Sequence, residues 1–492
     1  MFRMVVIAPP TGGITVDPMP KLDRAAYIAL MRQQMEAMLG QVADAINTAP
    51  DGEIIAGSEC QVRDLFGTLR RKAYEVGLQM RADAAEAVFP PPKHAQTGKS
   101  LRNKGRQEYS VLTINGRVWV KRIRWHGLGV GSCTVIDTYL DRAERTISVG
   151  VREMACRLNG GGTNFDRTAE NLAAAAQVEA SGETLRVLIE DEGRHVLEAF
   201  RGGTLPITWT AKDCVVDPAT AESPTRVYFG CDGVMAPMVT DGEKAKRRVK
   251  VKEKRQRRGR KCRPLRRAKR GADQRYKEFK IVTYYDEAKK HRVVLGTKGN
   301  HVEAGRLMRR LAGRIDLGAA TEKVGNVDGA PWIRAQVECQ NLPLDALGLD
   351  FYHLAENVHK ARRVVYGEAD EAGTSWAGDV LHAFKHEGYT AAWEKLVTWR
   401  GQWRGAKRAA ADGLLGYVSE RREMILYPEF AANGWQIGSG PTESCCKTLT
   451  QRLKGSGMRW DADNAEAIMA LESLRESGLW KTYWQTLLPK TS

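Results

Sequence analysis

From residue 225 onward, apolar runs of strand length alternate with helical periods in the order β, β, β, α, β, α, β, α. TRVYFGCDGVMAPMV (225–239) opens the series, and RYKEFKIVTYYDEAKKHRVVLGTKGN (275–300) reads as two strands with a turn near Asp286–Lys290. EAGRLMRRLAGRI (303–315) reads as a helix. TEKVGNVDGAPWIRAQV (321–337) and LDALGLDFYHLAENVHKARRVVYG (344–367) each read as a strand followed by a helix. Few architectures satisfy such alternation, because the crossover helices must cover a sheet that is at least partly parallel. The expected class is α/β with a mixed sheet. Its strands are expected to end at Asp232-Gly233, at Asp328-Gly329 and at Asp350.

The 492 residues leave room for more than this sheet. Residues 1–105 read as a helical region and linker: two helices over 21–88 around a Gly/Pro break at 50–57, then VFPPPKHAQTGKS (88–100). In KLDRAAYIALMRQQMEAMLGQVADAI the apolar positions recur at three and four residues, predicting one buried stripe. Residues 106–224 begin with EYSVLTINGRVWVKRIRW (108–125), a hairpin signal around Asn115-Gly116, the dipeptide that tolerates positive φ at both turn positions. An Ala-rich helix follows, then a turn near Ser181-Gly182 and a second helix from about Thr184, which fits a helix-turn-helix. That second helix carries Glu190, Asp191 and Glu192, a poor surface to present to phosphates, so plain helical packing is an equal alternative to DNA reading. The sheet region spans 225–367. Residues 368–436 read as a wholly helical insertion holding Trp376, Trp393, Trp399 and Trp403, for which core packing is preferred to base stacking. Residues 437–492 supply a last helix start and an amphipathic closing helix at 462–477.

Charge is concentrated in one place. KAKRRVKVKEKRQRRGRKCRPLRRAKR (244–270) holds 17 Lys and Arg against one Glu, almost the whole of the formal net charge of +17. A block of like charge repels itself and favours disorder until a polyanion neutralises it. Nucleic acid is the expected polyanion, through phosphate contacts and counterion release. The expected contacts are Lys246, Arg247, Arg248, Lys254, Arg255, Arg257, Arg258, Arg260, Lys261, Arg266 and Arg267, joined by Lys447, Arg452, Lys454 and Arg459 from the last motif. Charged residues make up 27% of the chain and no run approaches the roughly 20 apolar residues of a spanning helix, so no membrane association is expected. MFRMVVIAPPTGG is too short in apolar residues for a secretory signal, and cytoplasm is the expected compartment. Nine widely spaced cysteines without a C-x₂-C fit reduced thiols rather than a zinc ribbon. His382 and His386 stand at i, i+4 without an acidic or Cys partner at ligand spacing, so packing is preferred to chelation.

Three acids stand out. Asp232 and Asp328 each close a predicted strand before a glycine, and ligands gather beyond the carboxyl ends of strands in α/β sheets. Two such carboxylates suit Mg²⁺, which takes one or two protein carboxylates and keeps positions for water and phosphate. IGSGPTES (437–444) is a helix start with Pro441 early and Glu443 in the first turn, able to project toward the two aspartates. Lys447 and Lys454 follow at +4 and +11 on the face of Glu443.

The order Asp232, Asp328, Glu443 resembles that of a DDE transposase on an RNase H-like fold. DGAPWI (328–333), LDFYHLAENVHKA (349–361) and IGSGPTES…QRLKGSGMRW (437–460) resemble ISKra-type bacterial insertion-sequence transposases, over roughly 225–480. The resemblance implies an RNase H-like catalytic core with a helical insertion, preceded by a mostly helical DNA-binding region with a β-hairpin. It implies Asp232, Asp328 and Glu443 as catalytic and metal-binding acids for two Mg²⁺ (or Mn²⁺) ions, with Asp350 and His353 as supporting residues. It implies double-stranded DNA, both element ends and target, as partner, and a homo-oligomer on that DNA. The family often carries a Cys-based zinc element after the hairpin; WHGLGVGSC (125–133) has one Cys, so that element is not expected. The implied reaction is hydrolytic nicking at the element ends, then attack of the freed 3′-hydroxyls on target DNA. The alternatives are an RNase H-like nuclease or junction resolvase without strand transfer, and a non-enzymatic basic DNA-binding protein.

Overall fold

A computed structural model describes residues 21–93, 98–127, 131–141, 146–161, 164–220, 222–259, 264–265 and 267–488. The chain parts into two compact units, one running to Leu188 and the other from Ile189 onward, with residues 160–163 assigned to the second.

The first unit holds α1 (Arg24–Thr48), α2 (Ile54–Val88), β1 (Arg102–Thr113), β2 (Gly116–Gly127), β3 (Gly131–Cys133), α3 (Ile136–Leu140), α4 (Val149–Asn159), α5 (Phe165–Ala176) and the start of α6 (Gly182–Gly202). Asp23 caps α1 by accepting from the Ala26 N–H at 3.0 Å. The expected apolar stripe of α1 is only partly buried: Met31, Met38 and Ala45 are covered, while Ile28, Met35, Leu39 and Ile46 are exposed. β1 and β2 form the predicted hairpin, but its loop is Ile114-Asn115, one residue earlier than expected. Only Gly116 has positive φ (99°), because a glycine opening the return strand absorbs the left-handed conformation and frees Asn115 from it. The N–H groups of Trp119, Lys121 and Ile123 on β2 donate to Glu75 (3.0 Å), Gln79 (2.7 Å) and Glu86 (2.5 Å) of α2. A helix thereby satisfies a strand edge that would otherwise invite another strand.

Asn164 caps α5 and left-handed Gln177 ends it, giving the two helices expected of the helix-turn-helix reading. Of the acidic trio on α6, Glu190 and Glu192 are buried, and Glu192 accepts from the Tyr483 hydroxyl at 2.5 Å. They face the interior rather than solvent.

The second unit is built on one five-stranded sheet of β4 (Arg226–Pro237), β5 (Tyr276–Asp286), β6 (Arg292–Thr297), β7 (Glu322–Val327) and β8 (Ala346–Leu349). The spatial order is β6-β5-β4-β7-β8. β4, β5 and β6 pair antiparallel, while β7 and β8 run parallel to β4. The predicted alternation is present, with α8 (His301–Arg314), α9 (Pro331–Cys339) and α10 (Phe351–Tyr366) following β6, β7 and β8. β4 is central and buried without alternation over Arg226–Cys231, as a strand covered on both faces must be. On one face Phe229 packs against Tyr284, whose hydroxyl donates to the Met308 carbonyl of α8 at 3.0 Å. On the other, Tyr228, Tyr285, Val324 and Phe430 form a core cluster.

α7 (Asp241–Arg257) is inserted between β4 and β5. The helices α11 (Glu371–His382), α12 (Tyr389–Gly401), α13 (Gly405–Glu420) and α14 (Tyr427–Ala432) make up the helical insertion. There Trp376 and Trp399 stack at 3.9 Å between ring centres, and the Trp399 indole N–H donates to the Tyr366 hydroxyl at 3.0 Å. Trp399 is core, as preferred from the sequence, while Trp376, Trp393 and Trp403 are half-buried. After them come α15 (Gly440–Gln451), α16 (Ala462–Glu476) and α17 (Trp480–Leu487). α16 was expected to be amphipathic, yet every residue from Ala465 to Leu474 is buried. A helix covered on all sides tolerates Glu466 and Glu472 only because cations reach them: Arg201 donates to Glu466 at 2.6 Å. No described helix is long and apolar enough to cross a membrane.

Candidate active site

The parallel ladder between β4 and β7 runs from Arg226 opposite Glu322 to Phe229 opposite Gly325. Continued by three residues in the same register, it sets Asp232 opposite Asp328. Asp328 follows the last residue of β7, and Gly329 turns the chain there with φ 78° into Pro331, the first residue of α9. Asp232 departs from expectation. β4 does not end at Asp232-Gly233 but continues to Pro237, because β5 goes on pairing with it after β7 has left. Asp232 is a strand residue whose open side begins where the parallel ladder stops.

α15 lies across β4 at this point. A Cβ on Gly230 would collide with the Thr442 side chain, so the glycine permits the close approach. One turn after Thr442, the Cys446 thiol hydrogen-bonds the Asp232 carboxylate. Glu443 is three residues before Cys446 and therefore on a neighbouring part of the same helix face. As predicted, α15 begins with a proline in its first turn and Glu443 beside it. The Glu443 side chain is half-exposed; its Oε1 lies 3.7 Å from His353 Nε2 and 3.3 Å from Ser439 Oγ.

Burial pushes the Asp232 carboxyl above the usual carboxylate range, and the Asp328 charge pushes it further. The Gly233 N–H (2.6 Å), the Cys446 thiol and the His353 ring pull the other way. Burial, then the Asp232 charge, keep the Cys446 thiol protonated. Among the described residues, neither Asp232 nor Asp328 forms an ion pair. Two adjacent carboxylates without a cationic partner make the donor chemistry of a hard divalent cation, and they fit one such ion through one or two carboxylates. Among the described residues no three His, Cys, Asp or Glu side chains stand close enough to hold a metal as they are. Glu443 is engaged with His353 instead.

No known protein-family model matches the chain, and no curated protein matches its sequence.

Asp350 is fully buried and caps α10, accepting the N–H groups of Tyr352 (2.6 Å) and His353 (2.9 Å); its second oxygen accepts the Ser439 N–H. It therefore positions two elements, the His353 turn and the lead into α15. His353 lies between Asp232, which feels its charge, and Glu443, which touches it.

The basic residues divide. α7 is a capped helix: Thr240 and Glu243 satisfy each other's backbone N–H groups, and no residue of it is buried. The sequence favoured a disordered arm here; the cap, with Asp241 and Glu243 in the first turn and cations in the last, favours a helix despite the repulsion. Lys246, Arg247, Lys254, Arg257, Arg258 and Arg267 are exposed, and Arg248 and Arg255 half-buried. Arg260, Lys261 and Arg266 lie outside the described residues. Lys447 is exposed on α15, but the helix stops at Gln451, so Lys454 is exposed beyond it and not on the face of Glu443. Arg459 is paired with Glu243 at 2.9 Å. Arg452, expected on the surface, is buried: its guanidinium lies 5.0 Å over the Trp460 ring, and burial pulls its pKa down to about 10. It packs the turn after α15 and presents nothing to DNA.

Sequence reasoning missed Cys446 and Arg421. Cys446 had a signal, the spacing of three from Glu443. Arg421 had none, since it follows α13 within the helical insertion and meets Gly329 only in the folded chain.

Proposed function

We propose that this chain is a DDE-class DNA transposase on an RNase H-like sheet, which cleaves at insertion-sequence ends and joins 3′-hydroxyls to target DNA. The observation that carries the reading is the juxtaposition of Asp232 and Asp328, two carboxylates without ion-pair partners on neighbouring parallel strands, beneath the helix that has Glu443 in its first turn. A three-stranded antiparallel meander extended by two parallel strands is compatible with an RNase H-like sheet.

Asp232 and Asp328 would hold one Mg²⁺ or Mn²⁺ ion, and Glu443, released from His353, would help hold a second. When bound, such ions polarise the phosphodiester and supply a nucleophile at neutral pH. The chain's own part is positioning. Cys446 and the Gly233 N–H fix the Asp232 carboxylate, Asp350 fixes the start of α15, and His353 holds Glu443 near the pair until DNA arrives.

Glu443→Gln tests the assignment of the third acid. Binding of a labelled DNA duplex is expected to stay near wild type, while Mn²⁺-dependent nicking of supercoiled plasmid falls by roughly 10²–10³, the order seen when one preorganised group is removed. Normal nicking by this variant removes Glu443 from the site. A strand-transfer assay with 3′-hydroxyl donor ends separates the reactions. A chain that nicks but never joins is a nuclease, and one that binds but never nicks is a non-enzymatic DNA-binding protein.

α7 is the proposed DNA grip. Replacing Lys250, Lys252, Lys254 and Arg257 by Gln leaves the core untouched, since the helix buries nothing. The slope of log affinity against log salt is expected to flatten by about 3–4 if all four side chains meet phosphates. Fluorescence anisotropy on a DNA duplex measures it, and an unchanged slope overturns the role.

A further inference from the structure

Arg421, the residue after α13, reaches out of the helical insertion to the turn that follows Asp328. A Cβ on Gly329 would stand 2.7 Å from Arg421 Nε, so the stem of the arginine lies against the backbone of that turn. The guanidinium is stacked 4.0 Å over the Tyr417 ring, and Tyr417 is itself within electrostatic reach of Asp328 and Asp350. The side chain is only 13% exposed. One terminal nitrogen, Nη1, is occupied by the Tyr417 carbonyl (3.0 Å) and Glu420 (3.2 Å). Nε is buried with no partner, and the side-chain hydrogen bonds described for Arg421 all come from Nη1.

A buried, unsatisfied Nε–H costs free energy unless something fills it. The Nε–Nη2 edge is one of the two edges of a guanidinium that bind a phosphate or carboxylate through two parallel hydrogen bonds, and the other shares the occupied Nη1. Asp328 is one residue from the contact point and does not form an ion pair with Arg421. The stack on Tyr417 and the bonds to Nη1 thus hold the guanidinium against the turn after Asp328 with its Nε–H unpaired.

We propose that Arg421 binds the DNA phosphate presented to Asp232 and Asp328, its Nε–Nη2 edge donating to two non-bridging oxygens. This rests on the reading of those acids as a phosphodiester-cleaving pair. It assigns the helical insertion a chemical part: the insertion delivers the positive charge that the acidic pair lacks, and a phosphate carries the negative charge that fills the open edge.

The test uses the full chain, supercoiled plasmid and Mn²⁺, comparing wild type with Arg421→Gln and Arg421→Lys. Turnover at saturating plasmid is expected to fall roughly 10²-fold in Arg421→Gln, as for loss of a preorganised donor. The half-saturating plasmid concentration should change by less than about twofold, because phosphate contacts elsewhere dominate affinity. Arg421→Lys should regain only part of the turnover, since an ammonium carries the charge without the fork. Wild-type turnover in Arg421→Gln, or full recovery in Arg421→Lys, overturns the proposal and leaves the acidic pair standing. Loss of turnover that only tracks a lowered urea midpoint in both variants assigns Arg421 to packing and also overturns it. A wild-type chain that nicks nothing in Mn²⁺ removes the reading of the acids, and the phosphate contact with it.

Discussion

Asp328→Asn and Asp232→Asn are each expected to reduce Mn²⁺-dependent nicking by at least about 10²–10³, the order for removing one preorganised charged group from a site, and at neutral pH to make the protein more stable. The second effect follows from the first site's electrostatics. Burial and the neighbouring Asp328 hold the Asp232 carboxyl above its ordinary range in the folded chain. Between the unfolded and folded pKa values the folded state therefore binds more protons than the unfolded one, so stability falls as pH rises through that window and stays lower above it. At pH 7 ionised Asp232 works against folding. Asp232→Asn removes the charge and its desolvation; Asp328→Asn removes the repulsion. Both urea midpoints should exceed wild type at pH 7, and the advantage should shrink as pH falls through that window and be gone below the unfolded carboxylate range. A site built for a cation has this signature, in which function is gained at a cost in stability. Variants that nick normally, or that are less stable than wild type at pH 7, would sink the assignment of the pair.

The alternation after residue 225 was legible because each element there is long enough to show its own period, and the strand order is close to what crossover helices require. Asp328 was correctly placed at a strand end, since Gly329 really turns the chain. Asp232 was not, although it stands before the same residue. What carries β4 onward is β5, pairing from Tyr276 to Asp286, and the sequence of β4 does not reveal how long its partner is. The face shared by Glu443 and Lys447 was legible from helical spacing, but Lys454 was lost because the helix stops where Arg452 turns inward onto Trp460. Arginine is read as surface unless something else is known, and here an aromatic ring and a methionine sulfur, 2.6 Å from Nη1, line its site. The acidic run on α6 misled in the opposite direction. Its glutamates are interior groups whose partners, such as Tyr483, come from the far end of the chain. Arg421 was invisible for the same reason: 92 residues separate it from Gly329, and no local pattern marks the contact.

Asp350→Ala is expected to cost about 2–4 kcal/mol and to depress nicking without removing the metal-binding pair. Two terms make up the cost. Losing the cap of α10 leaves the Tyr352 and His353 N–H groups without their acceptor, worth about 1 kcal/mol. Leaving the buried Ser439 N–H unsatisfied adds about 1–3 kcal/mol. Asp350→Asn should fare little better, because its amide offers one acceptor oxygen where two are used, and turns an N–H donor toward either Ser439 or the helix start. The catalytic consequence is separable from the stability loss. Asp350 holds His353 and the approach to Glu443, but it touches neither Asp232 nor Asp328. Calorimetry at a temperature where the variant is folded should therefore still detect Mn²⁺ binding, whereas in Asp328→Asn it should not. Loss of Mn²⁺ binding in folded Asp350→Ala would move Asp350 from a positioning residue into the acidic cluster itself, and the two-strand pair would no longer suffice to hold the ion.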